Sequence, residues 1–219
     1  MNECRLVIFD CDGVLVDSEL ITNRVYVAML NEIGIPVTLE DMFEKFVGRS
    51  MDYCWDLVAG MLGRRLPPHL VEEYRVRTTA ALQAQLRAVD GIEEVLDALD
   101  ARQVPYCVAS SGTHQKMHTT LGLTGLLPRL AGKLFSVTDV VRSKPAPDVY
   151  LHAARAFKVV PSACRVVEDS PTGVAAGVAA GMTVYGYCAL TPEWRLAGAG
   201  AHHTLSNMRR LPDLLFAPS

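Results

Sequence analysis

The sequence predicts an α/β fold in which a doubly wound parallel sheet carries an inserted all-helical domain. Short apolar runs alternate with helical patterns from Gly91 onwards, as is typical of parallel sheets with helices on both faces. The stretch between residues 16 and 86, by contrast, shows helical patterns throughout. We therefore expect an α/β core formed by residues 1–15 and 87–219 and a helical domain formed by residues 16–86.

Length and composition limit the possible classes of function. The chain has 219 residues, of which 50% are hydrophobic, and its formal net charge is −3. This is enough apolar material for a packed core, and the charge gives no sign of nucleic-acid binding. No apolar run reaches the roughly 18 residues of a membrane span, and a strand pattern stands where a signal peptide would begin. We expect a cytoplasmic protein without nucleic-acid or membrane partners, as a monomer or a homodimer.

The cysteines predict a reducing compartment. Six cysteines are scattered along the chain without any C-x-x-C pair, and Cys107 and Cys164 lie inside apolar runs. Such residues are typical small core side chains rather than a disulfide framework or a zinc site.

The first predicted strand, residues 6–9, ends at two acids, Asp10 and Asp12, followed by Gly13. The i, i+2 spacing lets both carboxylates leave the strand end on the same side, close enough to share one cation. Unpaired carboxylates at that distance repel each other, and Mg²⁺ with its preference for oxygen ligands removes the repulsion. The spacing does not fit a calcium-binding EF-hand loop. A turn with exposed acids remains open for this motif taken by itself.

The inserted stretch predicts several helices. Gly34 and Pro36 end the first helix, and the pair Pro67–Pro68 precedes the last, as helix boundaries favour. The helices are expected at residues 18–33, 41–47, 51–62 and 69–87.

The region from Gly91 predicts alternating helices and strands. Strands are expected at residues 104–109, 133–136, 164–167 and 182–187, with a weaker strand near the end of the chain. The clearest helices between them are expected at residues 92–102, 145–157 and 173–180. Glycine recurs at positions 173, 177 and 181, which we interpret as a stripe that lets this helix approach the sheet closely.

Polar residues follow the predicted strands, at the edge where parallel sheets bind their ligands. Each has an ordinary explanation by itself: a turn serine, a solvated lysine, or acids at a helix start. Together, acids, a hydroxyl and a cation suit phosphoryl transfer through an aspartyl phosphate. The set comprises Asp10, Asp12, Ser110, Lys144, Glu168 and Asp169.

Four segments in this order, FDCDGVLVDSE, VASSG, RSKPAPDVY and VVEDSPTG, resemble the motifs of the haloacid dehalogenase-like hydrolases. Over nearly its whole length the chain is similar to the β-phosphoglucomutase and phosphoglycolate phosphatase branch, whose members have a helical cap domain after the first motif. Within that branch it resembles the bacterial 6-phosphogluconate phosphatase type. The resemblance implies a Mg²⁺-dependent phosphatase acting on a small phosphorylated sugar or carboxylate, with residues 16–86 as the cap.

The resemblance also implies roles for the residues that transfer the phosphoryl group. Asp10 is the expected nucleophile and a metal ligand. Asp12 is the expected general acid and base, with its backbone carbonyl as a second metal contact. Ser110 is expected to hydrogen-bond the phosphoryl group, and Lys144 to neutralise the charge of the phosphoryl group and the nucleophile.

Further residues are expected to bind the metal and the substrate. Glu168 and Asp169 resemble the remaining acidic Mg²⁺ ligands, and the backbone N–H groups of Ser111 and Gly112 are expected to assist Ser110. Arg49 stands where the family's cap loop reaches towards the substrate, so we expect it to contact a substrate anion. A solvated arginine at a helix start is the alternative for Arg49.

Particular residues separate the activities that share this scaffold. Asp12 argues against carbon–halogen hydrolases and phosphonate-cleaving relatives, which lack this aspartate. The β-phosphoglucomutases carry a histidine where this chain has Thr22, so a phosphatase is the preferred interpretation and mutase-type transfer between sugar positions is the alternative. A catalytically silent binding module is a minor alternative, because such a protein would be expected to have lost one of the acids or Lys144.

Overall fold

Six parallel strands form one sheet in the larger of two compact units. The computed structural model describes residues 3–46, 51–63 and 65–216. The larger unit contains the residues up to Asp17 together with those from Arg87 onwards, and the smaller unit spans Ser18–Leu86. That the smaller unit acts as a cap stays a prediction.

The strands of the larger unit confirm the predicted α/β class. Every pair of neighbouring strands is parallel, and the spatial order is β3-β2-β1-β4-β5-β6. In chain order the strands are β1 (Leu6–Phe9), β2 (Tyr106–Ser110), β3 (Leu134–Ser136), β4 (Cys164–Glu168), β5 (Thr183–Tyr187) and β6 (His203–Leu205).

The smaller unit is helical, as the sequence predicts. Its edge-to-face aromatic cluster centres on Tyr26, whose ring centroid lies 4.8 Å from that of Trp55 and 5.2 Å from that of Tyr74. The three rings come from three different helices and pack together in the hydrophobic core of the unit. The helices are α1 (Glu19–Glu32), α2 (Leu39–Lys45), α3 (Met51–Leu62) and α4 (Pro68–Gln85).

The helices of the larger unit cover the sheet. They are α5 (Ile92–Ala101), α6 (His114–Leu123), α7 (Leu127–Leu130), α8 (Asp148–Ala156), α9 (Pro171–Ala179), α10 (Glu193–Gly198) and α11 (Leu211–Phe216). None of the helices in the described parts of the chain is long and apolar enough to cross a membrane.

The segment before α8 differs from the prediction, which began this helix at residue 145. Helix α8 begins at Asp148, because a turn in which the Ala146 N–H donates to the Ser143 carbonyl (2.9 Å) comes first. Lys144 lies inside this turn instead of beside a helix, and its side chain is buried.

The centre of the sheet is an apolar core. Ile8 of β1 stands between Cys107 of β2 and Val166 of β4, and all three are fully buried. Helix α9 approaches the sheet closely: a Cβ added at Gly177 would lie 2.7 Å from Val184 Cγ2. The glycine at this position therefore permits the close packing that the sequence pattern predicts.

Candidate active site

The carboxyl ends of three neighbouring strands bring the predicted polar residues together. Asp10 directly follows β1, Ser110 is the last residue of β2, and Glu168 is the last residue of β4. Because β1 lies between β2 and β4, these residues meet at one edge of the sheet. All three are buried, and so are Asp169 and Lys144.

Lys144 is the centre of this group. Its Nζ donates to Asp10 Oδ1 at 2.6 Å, to Glu168 Oε1 at 2.7 Å and to the Ala109 carbonyl at 3.0 Å, which satisfies the three donors of an ammonium group. Burial opposes the charge of Lys144, but the charges of Asp10 and Glu168 outweigh it and raise the pKa of Lys144 well above its ordinary value. The ammonium therefore keeps its charge in a buried position.

The two carboxylates that share this ammonium differ in their pKa. Burial raises the pKa of Asp10 to about 7, although the Lys144 charge opposes the shift. Burial acts in the same direction on Glu168, but the Lys144 charge and several hydrogen bonds prevail and lower its pKa. One ammonium cannot neutralise two buried carboxylates, so this part of the site is short of positive charge.

Glu168 is held on every side. Its Oε1 accepts hydrogen bonds from Lys144 and from the Tyr150 hydroxyl at 2.9 Å. Its Oε2 accepts from the backbone N–H and the hydroxyl of Ser170, at 3.0 and 2.9 Å. A Cβ at Gly173 would overlap the carboxylate. Glu168, predicted as a metal ligand, is therefore occupied by protein donors at both oxygens.

Asp12 pairs with a residue that the sequence analysis missed. Lys116 Nζ donates to Asp12 Oδ2 at 2.6 Å, although the two residues stand 104 positions apart. Gly112 leaves room for this contact, since a Cβ there would lie 3.3 Å from Lys116 Cδ. A lysine in a helix is usually solvated, so nothing near Lys116 in the sequence signals the pair.

The turn after β2 contains the predicted phosphoryl-binding groups. Ser110 is buried, whereas Ser111 is exposed. The Gly112 N–H, predicted to bind phosphate, donates to Ser110 Oγ at 2.9 Å, and the Gly112 carbonyl accepts from Ser136 Oγ at 2.8 Å. These bonds fix the turn at the N-terminus of α6, where backbone N–H groups favour an anion.

Asp169 lies against the loop that follows β1. A Cβ at Gly13 would overlap its carboxylate, and the φ angle of Gly13 is +78°, which also favours glycine. Asp169 and the loop containing Asp10 and Asp12 are therefore neighbours. Arg49, the predicted substrate contact, lies outside the described residues.

The acids at this edge suit a hard divalent cation. Among the residues that the structure describes, no three His, Cys, Asp or Glu side chains form a group that could hold a metal ion by themselves. The predicted set needs fewer side chains, because Mg²⁺ keeps several waters and uses one or two carboxylates. The carboxylates of Asp10 and Asp169 with the Asp12 carbonyl would supply oxygen ligands of this kind, and the shortage of positive charge beside Asp10 favours a cation.

Comparisons with known proteins agree with the predicted family. A family model described as haloacid dehalogenase-like hydrolase matches residues 4–181. The 6-phosphogluconate phosphatase of Escherichia coli is 36% identical over 215 residues, which cover 98% of this chain and 96% of that protein. The validoxylamine A 7'-phosphate phosphatase of Streptomyces hygroscopicus subsp. limoneus is 33% identical, covering 83% and 84%.

A solved structure supports the same relationship. The crystal structure of a HAD family hydrolase from Deinococcus radiodurans, with bound phosphate and sodium, has a TM-score of 0.85 and 32% sequence identity. The alignment covers 98% of each chain.

Proposed function

This chain belongs to the haloacid dehalogenase-like hydrolase family, and we propose that it hydrolyses its substrate through an aspartyl phosphate formed on Asp10. It is a phosphatase of small phosphorylated metabolites, as its relatives are. The observation that carries the proposal is the buried contact of Asp10 with Lys144 at 2.6 Å. A carboxylate nucleophile approaches an anionic phosphate only where a cation offsets the repulsion.

The reaction divides into two displacements at phosphorus. The Asp10 carboxylate attacks, the bond to the leaving oxygen breaks, and Asp12 donates a proton to that oxygen. A water molecule then attacks the aspartyl phosphate while Asp12 accepts its proton, which releases phosphate and restores Asp10. Lys144 offsets the negative charge of the transferring group in both steps. The Ser110 hydroxyl orients it together with the Ser111 N–H, while the Gly112 N–H donates to Ser110 Oγ and holds that hydroxyl in place.

We propose Mg²⁺ as the cofactor, held by the carboxylates of Asp10 and Asp169 and by the backbone carbonyl of Asp12. When bound, the ion supplies positive charge at the phosphoryl group. Glu168 has protein donors at both oxygens, so we assign it to Lys144 instead of the metal.

We propose 6-phosphogluconate as the first substrate to test. The Escherichia coli relative that bears this activity in its name matches almost the full length of both chains. The smaller unit, Ser18–Leu86, is proposed as the cap that selects the substrate, with Arg49 as its contact to a substrate anion.

The test is phosphate release from 6-phosphogluconate, phosphoglycolate, hexose phosphates and β-glucose 1-phosphate, with and without Mg²⁺. We expect Mg²⁺-dependent release that Asp10→Asn lowers by about 10³-fold or more. Asp97→Asn, which changes an exposed acid of the same unit, is the matched control and should retain activity.

Two results would overturn the proposal. Unchanged release by Asp10→Asn would exclude the aspartyl phosphate on this residue. Conversion of β-glucose 1-phosphate into glucose 6-phosphate with little free phosphate would replace the phosphatase by the mutase.

A further inference from the structure

We propose that Tyr150 is a positioning residue for phosphoryl transfer, which acts by holding Glu168 and, through it, Lys144; this inference rests on the proposed function. Tyr150 lies in α8 and is fully buried. Its hydroxyl donates to Glu168 Oε1 at 2.9 Å, and its ring centroid lies 4.7 Å from Lys144 Nζ. Tyr150 therefore contacts both Lys144 and Glu168, which form the ion pair next to the proposed nucleophile Asp10.

Glu168 can serve as an anchor because it has no room to move. The Ser170 N–H and hydroxyl hold one carboxylate oxygen, and the backbone at Gly173 closes one side. The other oxygen receives Lys144 and Tyr150 together. The Tyr150 hydroxyl thus completes the set of donors that fixes the oxygen to which Lys144 is bound.

Lys144 needs such an anchor because a lysine side chain is long and flexible. Holding this side chain in one conformation costs rotamer entropy. A displaced ammonium would also stabilise the transferring phosphoryl group less well, because misplacement of a catalytic group by about 1 Å lowers rates strongly. The face of the Tyr150 ring attracts the ammonium, and the hydroxyl fixes its partner. The two contacts together determine where Lys144 presents its charge to Asp10.

A purely structural role is the competing explanation, because buried tyrosines usually find a hydrogen-bond partner. Tyr185 of β5 provides the matched comparison in the same unit. It is also buried, and its hydroxyl donates to the Leu214 carbonyl at 3.3 Å, which belongs to α11 and has no part in the site. Removal of the Tyr185 hydroxyl costs this bond and a contact with Arg165, whereas only the Tyr150 hydroxyl contacts Glu168.

The kinetic test compares Tyr150→Phe with Tyr185→Phe at saturating Mg²⁺. Both changes keep the aromatic ring and remove only the hydroxyl group. We expect Tyr150→Phe to lower kcat by about tenfold with KM unchanged, and Tyr185→Phe to stay within about twofold of the native protein. An unchanged kcat for Tyr150→Phe, or an equal loss in both variants, overturns the inference.

Two further measurements separate this role from others. The Mg²⁺ concentration for half-maximal activity should be unchanged in Tyr150→Phe. Recovery of kcat at higher Mg²⁺ would show that Tyr150 acts through metal binding, which overturns the inference. The lysine ammonium signals in ¹⁵N-edited NMR spectra should broaden or shift for Lys144 in Tyr150→Phe and stay unchanged in Tyr185→Phe. An unchanged Lys144 signal in Tyr150→Phe overturns the inference.

The NMR comparison needs no turnover, so the two proposals can fail separately. Absence of phosphate release by the native protein counts against the proposed function. The Lys144 signal still reports whether Tyr150 holds the ion pair.

Discussion

Asp139 links the turn after β2 to the strand beside it. Its carboxylate accepts the Ser136 N–H at 2.8 Å and lies 2.9 Å from His114 Nε2, while Ser136 Oγ donates to the Gly112 carbonyl. Burial acts to raise the pKa of Asp139, but the Ser136 and His114 bonds prevail and lower it below the ordinary value of 3.8. The ionised carboxylate therefore stabilises the fold next to the turn that is proposed to bind the phosphoryl group.

Asp139→Asn is expected to lower the free energy of unfolding near neutral pH by about 1 kcal/mol, as loss of a capping side chain does. Because the folded pKa is depressed, the stabilisation is present above the unfolded pKa and is lost as pH falls through the folded pKa. The native and variant proteins should therefore converge in stability well below pH 3.8. Urea unfolding between about pH 3 and 7 measures this; a difference that persists unchanged at the acid end contradicts the assignment.

At the scale of single residues, the sequence identifies the groups that belong to motifs and misses those defined by distant contacts. Asp10, Ser110 and Glu168 stand at predicted strand ends, and the structure brings them to one edge. Lys116 and Tyr150 were not predicted, because a helical lysine and an apolar-face tyrosine are ordinary in any helix. Their contacts to Asp12 and Glu168 span 104 and 18 positions, and only the fold creates them.

Two glycines of α9 have different neighbours: Gly177 packs against the sheet, and Gly173 packs against a residue of the candidate active site. A methyl group at Gly177 would meet Val184 of β5 at 2.7 Å and Val166 of β4 at 3.4 Å, whereas one at Gly173 would overlap the Glu168 carboxylate. We expect Gly177→Ala to destabilise the protein by about 1–3 kcal/mol through overpacking, with kcat retained by the folded fraction. Gly173→Ala should lower both stability and kcat, since Glu168 would be displaced from Lys144.

Denaturant unfolding and kcat per folded enzyme, measured on both glycine variants, provide the test. Each variant serves as the control for the other, because both add one methyl group to the same helix. A normal kcat in folded Gly173→Ala would show that the position of Glu168 does not matter for turnover.

Elements with a strong burial pattern were predicted closely. The central strands β1, β2, β4 and β5 lie within two residues of the predicted bounds, because continuous apolar runs between polar ends leave few alternatives. The start of α8 was placed three residues early, since prolines fit a first helical turn and a preceding turn equally well. Strand β6 (His203–Leu205) contains a single apolar residue, so no apolar run marks it in the sequence.

The location of the site follows from the topology of the sheet as a whole. Starting from β1, strands β2 and β3 follow on one side of the sheet, and β4, β5 and β6 follow on the other side. The order of the strands therefore reverses between β1 and β4. Such a switch point opens a crevice at the carboxyl ends of the strands. Asp10 and Glu168 stand on its two sides, and Lys144 bridges them, which explains why residues far apart in sequence form one site.

The charge balance of the larger unit predicts a rise in melting temperature when Mg²⁺ binds. Asp10 and Asp169 are buried, Lys144 is shared between Asp10 and Glu168, and burial raises the pKa of Asp10. This concentration of buried acids favours a bound cation. A cation that binds the folded state stabilises it by about 2.7 kcal/mol at a hundredfold excess over Kd, or about 5–10 °C for a chain of this size.

Asp169→Asn should remove most of this rise, because it deletes a proposed ligand. Asp97→Asn, an exposed acid in the same unit, should show the full native rise. Calorimetric melts with a chelator and with increasing Mg²⁺ measure all three proteins. A native melting temperature that stays constant at Mg²⁺ concentrations sufficient for phosphate release would contradict a cation site among these acids.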